Sequence, residues 1–129
     1  MLVGMDIDLA DFTTPQQQAL FDLLVLAMYA DGHLTTFEDE HLQQLLIAMG
    51  HTEEAARQRV FDAVVTRMRP CIQSIQKARA ETIALAEQFT TRSQHKQVYA
   101  AVEAIITSDN HVTSWEAALL SELRSRFRL

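Results

Sequence analysis

Apolar residues recur along the chain at helical spacing, and caps and breakers cut the pattern into six segments. The first opens with Thr14-Pro15-Gln16-Gln17: a capping threonine, a proline suited to a first turn, and a glutamine where a capping box wants one. It runs to Asp31-Gly32, where glycine supplies the stop. Leu20, Leu23, Leu24, Ala27 and Met28 form one apolar face. Phe21, Val25 and Leu26 extend that face nearly all round, which predicts a helix in the middle of a bundle.

The second helix is expected from Thr35, with Glu38 three residues on, to near Gly50. A third spans Thr52 to Met68, turning Val60, Phe61, Val64, Val65 and Met68 inward, and Pro70 interrupts it. A fourth covers Ser74 to Thr90 on Ile75, Ala78, Leu85 and Phe89. The fifth, Ser93 to Ser108, uses Val98, Val102, Ile105 and Ile106, and is expected to sit centrally beside the first. The sixth starts at Thr113, buries Leu119, Leu120, Leu123 and Phe127, and ends in Arg124, Arg126 and Arg128, cations that complement a helix C-terminus. Three glycines and two prolines are too few to punctuate a chain of short strands. The pattern therefore predicts an all-α multihelical bundle, and 129 residues without a linker predict one domain over 1–129.

One stretch occurs twice. Ala30-Asp31-Gly32-His33-Leu34-Thr35-Thr36-Phe37-Glu38 aligns without gaps to Ser108-Asp109-Asn110-His111-Val112-Thr113-Ser114-Trp115-Glu116, with four of nine positions identical. The shift is 78 residues, from 31 to 109, and it also pairs Leu20-Phe21 with Val98-Tyr99 and Leu42 and Leu45 with Leu120 and Leu123. A duplicated helix–turn–helix follows, with repeat cores at 15–50 and 93–127 and an expected pseudo-twofold axis. Capping explains most of the motif. Gly32 and Asn110 suit a left-handed helix end, and Thr35 and Thr113 with Glu38 and Glu116 make capping boxes. It does not explain Asp31 and Asp109, since an acid at a helix C-terminus opposes the dipole, nor His33 and His111.

Charge sharpens the picture by its placement. Residues 1–56 carry ten acids and no Lys or Arg, whereas 57–129 carry seven acids and eleven bases, for a net charge of −6. An acidic first half disfavours nucleic acid and suits a cation or a basic partner; the bland alternative is a solvated acidic face. The single cysteine, Cys71, excludes an internal disulfide and a Cys-based zinc cluster. The first residues, Met1 to Phe12, do not read as a secretory signal, and no apolar run is long enough to insert in a membrane. A cytoplasmic setting is the default expectation.

Carboxylates at the turns suggest a divalent cation. Asp31 through Glu38, and Asp109 through Glu116, match the second half of an EF-hand loop. Where that loop places two further oxygen ligands, the chain has Ala27 and Tyr29, or Ile105 and Thr107, so a full EF-hand is not expected. The looser candidate set is Asp31, Glu38, Asp109 and Glu116, with Asp39, Glu40, His33 and His111 as additions; the histidines would favour a transition metal. Against it stands a solvent-only role for the turn histidines. A di-iron reading of Glu38 and His41 fails because the second copy has Leu119 in place of the histidine. No hydrolase or phosphate-loop motif occurs, so no catalytic residue and no organic cofactor is expected. Cys71 reads as a half-buried spacer, and Trp115 and Phe37 as core rather than as the lining of a ligand pocket. An exposed groove for a partner helix, with Met28, Met49 and Met68 contributing, stands as an alternative to core.

The duplicated Ala-Asp-Gly-x-aliphatic-x-x-x-Glu pattern resembles the TerB-like family, named for the bacterial tellurite-resistance protein; related domains occur in a membrane-anchored J-domain co-chaperone. The likeness covers Pro15 to Phe127 and is sharpest at Ala30-Asp31-Gly32, Glu38, Ser108-Asp109-Asn110 and Glu116. It implies a helical bundle with an internal repeat and a link to tellurite and other stress resistance. It also implies metal binding through acidic residues (Asp31, Glu38, Asp109 and Glu116 by position) and assembly with protein partners. Asn110 departs from the family's usual glycine, and His33 and His111 have no place in its pattern. Two functions result: a non-enzymatic stress-response or scaffold domain with a cation site at the turns, or an interaction module of co-chaperone type whose turns are purely structural.

Overall fold

A computed structural model describes residues 7–30, 40–106 and 114–129. Six α-helices are present among them: α1 (Thr14–Ala30), α2 (Glu40–Ala48), α3 (Glu54–Met68), α4 (Ile75–Ala86), α5 (Arg92–Ile106) and α6 (Ser114–Phe127). Short 3-10 turns at Leu9–Asp11 and Cys71–Gln73 precede α1 and α4, and no strand occurs among the described residues. The fold is an all-α bundle. None of the described helices is long and apolar enough to cross a membrane.

α1 is the axis of the bundle. Every side chain from Ala19 to Ala27 is buried, and Leu20, Phe21, Leu23 and Leu24 have no exposed surface at all. Each large apolar side chain removed from water contributes roughly 1.5–3 kcal/mol, so a helix apolar on all sides is stable only if neighbours cover all sides. All five other helices touch it. α5 differs from the expectation of a second central helix. Val98, Ala101, Val102, Ile105 and Ile106 are buried, but Arg92, Lys96, Ala100 and Glu103 are exposed. Its polar residues recur on one side, so only the other side can be covered.

Helix ends follow local chemistry. α1 and α5 open with the same device: Thr13 Oγ1 accepts from Gln16 N while Gln16 Oε1 accepts from Thr13 N, and Thr91 and Gln94 repeat both bonds. The cap of α1 is thus Thr13 rather than Thr14, because Gln16, not Gln17, is the residue that reaches back. Ser74 caps α4 by accepting from Lys77 N. α4 stops at Ala86, short of Thr90, where Gln88 N and Phe89 N bond back to Leu85 O and Ala86 O and polar groups beyond them are taken by side chains of other elements. Gln16 Nε2 donates to Gln88 O, and Gln94 Oε1 accepts from Thr90 N. α2 ends with Gly50 in the left-handed region (φ 108°), His51 N donating to Leu46 O and Gly50 N to Ile47 O. α6 ends by the same bond pattern, Leu129 N to Arg124 O and Arg128 N to Ser125 O, with Arg128 left-handed at φ 55°.

Contacts between helices define two ends of the bundle. At one, which we call the clasp end, the starts of α1 and α5 meet the finishes of α4 and α6. Gln94 Nε2 donates to Asp11 O (2.6 Å) and Gln16 Oε1 (3.0 Å), and Asp8 N donates to Gln97 Oε1 (2.7 Å). Phe12 meets Phe89 edge-on, Phe89 meets Phe127 likewise, and His95 stacks on Phe127. His95 Nε2 lies 2.8 Å from Phe89 O; a carbonyl only accepts, so this nitrogen carries the proton. α1 therefore runs against α4, α4 runs with α6, and α5 runs against α6. At the opposite, turn end, α1 and α5 finish and α4 and α6 begin.

Gln94 is the polar centre of the clasp, 5% exposed. Gln94→Ala would leave the Asp11 carbonyl and the Thr90 and Thr91 amides without this partner. It should lower unfolding free energy by about 1–3 kcal/mol, measured by urea denaturation, whereas Gln88→Ala on the exposed surface should change it little.

Candidate functional site

The turn end gathers what chemistry the described residues offer. Leu26 near the finish of α1, Ile75 and Ala78 at the start of α4, and Trp115 and Leu119 at the start of α6 line one cleft, and Arg79 faces Glu122 across its rim at 3.8 Å. The cleft is apolar and its volume of about 20 Å³ has room for little more than a water molecule. Thr82 also lines it, but its hydroxyl is spent on the Ala78 carbonyl at 2.8 Å. Trp115, read as core from the sequence, is half-buried here, and Ile75 is 41% exposed. The sequence carried no signal for the cleft, since it depends on how α4 settles beside α6.

Of the sequence-predicted ligands, Glu116 and Glu40 are placed, Glu40 as the first residue of α2, and the others are not. Asp31, His33, Glu38, Asp39, Asp109 and His111 lie outside the described residues, and Phe37 with them. Glu116 lies in the first turn of α6 with 0% exposure. An acid there is favoured by the helix dipole, and its burial turns it toward the bundle rather than toward open solvent. Both duplicated segments adjoin this end: one leaves the finish of α1 after Ala30, and the other joins Ile106 of α5 to Ser114 of α6. Among the described residues, no three His, Cys, Asp or Glu side chains converge to hold a metal ion.

Two titratable groups elsewhere are perturbed. Asp22 was passed over in the sequence, although one acid inside the apolar run Ala19–Ala27 is a visible signal. It is 5% exposed, and its Oδ1 accepts from Gln18 Nε2 at 2.9 Å and from Arg67 of α3 at 3.0 Å. Burial pushes its carboxyl above the ordinary range, against the opposing pull of the Gln18 hydrogen bond and the Arg67 charge. Cys71 is half-buried, with its thiol pushed up by burial and by Glu81 against the pull of Lys77. A raised thiol carries little thiolate at neutral pH, which speaks against a nucleophile. Asp22 sits beneath α3 and away from the Trp115 cleft lining, so its role is to tie α3 to α1.

Comparison with known proteins finds no family model, no curated protein and no solved structure that matches the chain.

The Asp22 environment gives a signed pH dependence. A folded-state pKa above the unfolded value means that the native state binds the proton more tightly. The stabilisation is complete below the unfolded pKa and is lost as pH rises through the raised folded value. Asp22→Asn should remove this slope. Its melting temperature at neutral pH should equal or exceed that of the wild type, and the difference should shrink or reverse on acidification. A variant clearly less stable than wild type at neutral pH would show that the Arg67 pair outweighs burial.

Proposed function

We propose that the chain is a non-enzymatic scaffold domain, similar to the TerB-like family, whose duplicated turns together hold a divalent cation. The observation that carries this reading is positional. The helices that flank both Asp-bearing segments, α1 and then α5 with α6, meet at the same end of the bundle, and Glu116 of the candidate ligands is a buried carboxylate at that end. Carboxylates brought together from two turns suit a hard cation, which takes oxygen ligands. Their mutual repulsion, and that of Asp31 and Asp109 with the helix dipoles, would be relieved on binding.

An internal duplication underlies this reading, and the helix ends support it. The capping pairs Thr13–Gln16 and Thr91–Gln94 stand 78 residues apart, and so do the left-handed residues Gly50 and Arg128. Gln16 and Gln94, equivalent in that register, bond to each other through both amides. Such reciprocal contact is what residues on a pseudo-twofold axis make. We take 13–51 and 91–129 as the two copies, slightly longer than the turn sequences alone suggested.

A second reading rests on the cleft. Ile75 at 41% exposure beside half-buried Trp115 offers a small apolar contact surface for a protein partner, as in a module whose turns serve only to cap. The two readings separate in one experiment. Thermal unfolding is followed with chelator and then with calcium, magnesium, manganese or zinc, for wild type and for Asp31→Asn/Asp109→Asn. A cation at roughly 100 times its Kd adds about 2.7 kcal/mol, a rise of several degrees. The cation-site reading expects that rise with at least one metal and its loss in the double variant. No rise with any metal removes the cation site and leaves the cleft as the working surface.

A further inference from the structure

The clasp end carries an exposed cationic face that folding does not account for. Arg92 and Lys96 stand one turn apart at the start of α5, Arg124 and Arg128 one turn apart at the end of α6, and all four are exposed. The stack of His95 on Phe127, with ring centroids 4.3 Å apart and planes 7° from parallel, brings these helix ends together. Because α5 and α6 run antiparallel, residues rotated in the same sense from the stacked pair fall on one side of the hairpin. At about 100° per residue, Arg92 and Lys96 are displaced from His95 as Arg124 is from Phe127, so these three cations share a face, and Arg128 follows Phe127 directly at the end of α6. Of the nearby acids, Asp11 Oδ2 accepts from Ser93 Oγ and Gln97 Nε2, and Asp8 Oδ1 accepts from Ala10 N.

Helix electrostatics explains half of this arrangement. Arg124 and Arg128 complement the C-terminal dipole of α6, but Arg92 opens α5, where a cation opposes the dipole, and no acid stands in that first turn. Arg128 also occupies the left-handed region at φ 55°, where α2 uses Gly50. A side chain there carries a steric cost that glycine avoids. Among the described residues none of the four pairs with an acidic side chain, whereas Arg67, Arg79 and Arg126 do; Arg124 Nε donates to Leu129 O at 3.2 Å. Cations without an acidic side-chain partner, one of them held at a steric cost, on an aromatic-stacked platform point to a ligand rather than to stability alone.

We infer that this face docks an acidic segment of a protein partner. Three of the four cations are arginines, whose planar forks pair with carboxylates two bonds at a time. The patch is short, since Glu103 lies on the same side of α5 two turns beyond Lys96. The chain as a whole is at −6, with ten acids and no Lys or Arg in residues 1–56. A long polyanion such as duplex nucleic acid would be repelled beyond the patch, whereas a short acidic segment would not. An anionic membrane would also want apolar side chains beside the cations. The exposed large apolar residues, Ile47 and Ile75, lie on α2 and at the turn end of α4.

The test is fluorescence anisotropy with a short labelled peptide of alternating glutamate and serine. Saturable binding that weakens with added salt is expected for the wild type. Arg92→Gln/Lys96→Gln/Arg124→Gln should bind roughly tenfold more weakly or worse, with its melting temperature close to wild type. Arg128→Gly should bind more weakly while melting at the same or a higher temperature, a combination that a purely structural role would not produce. Absence of saturable binding overturns the inference. So does equal binding by the triple variant, or tighter binding to a mixed-sequence DNA duplex or to phosphatidylserine vesicles than to the peptide.

Discussion

A helix that is apolar on every side dictates its surroundings. α1 cannot rest on a surface, because some flank of Phe21, Leu23, Val25 or Leu26 would then face water. The other helices need only one buried face each, and they supply it by wrapping α1. That division of labour fixes much else. α4 and α6 can pair closely because both lean on α1, and α5 can leave one side polar because its duty is discharged by the other. Asp22 shows how strict the constraint is: the one charged residue of the enclosed stretch is tolerated because Gln18 and Arg67 reach it.

The two ends of the bundle solve different problems. At the clasp end, loose chain before α1 and after α4 must be tied down, and glutamine amides do it because each offers two donors and an acceptor in one side chain. Gln94 alone engages Asp11, Gln16, Thr90 and Thr91. This end is densely bonded. The turn end has an apolar cleft, a buried carboxylate at Glu116 and both duplicated segments beside it.

Local signals in the sequence were reliable guides where the physics is local. Ser74 as a helix start, Pro70 as a break, Gly50 as a stop and the all-round apolar character of the first helix were legible, because each depends on a few neighbouring residues. The errors arose where a distant residue decides. The end of α4 is set by Gln16 and Gln94, each outside that helix. The one-sidedness of α5 is visible in Arg92, Lys96, Ala100 and Glu103, whereas its register with α1 points to a central helix. The Asp22–Arg67 pair spans 45 residues and has no local signature beyond a lone acid in an apolar run. The candidate site divides in the same way. Repetition picked out Asp31, Asp109, Glu38 and Glu116, while the burial of Glu116 and the seating of Trp115 beside Ile75 depend on tertiary packing.

The pairing of Gln16 with Gln94 has a bearing on how the chain is made. Synthesis runs from the N-terminus at about 5–20 residues per second, so roughly three to twelve seconds separate the emergence of Ala30 from that of Arg92. At the end of that interval the greasiest segment of the protein still lacks its amide clasp and two of its five covering helices, α5 and α6. The nascent chain is therefore most exposed to aggregation early, and a holdase that engages residues 19–27 on the ribosome would meet the need.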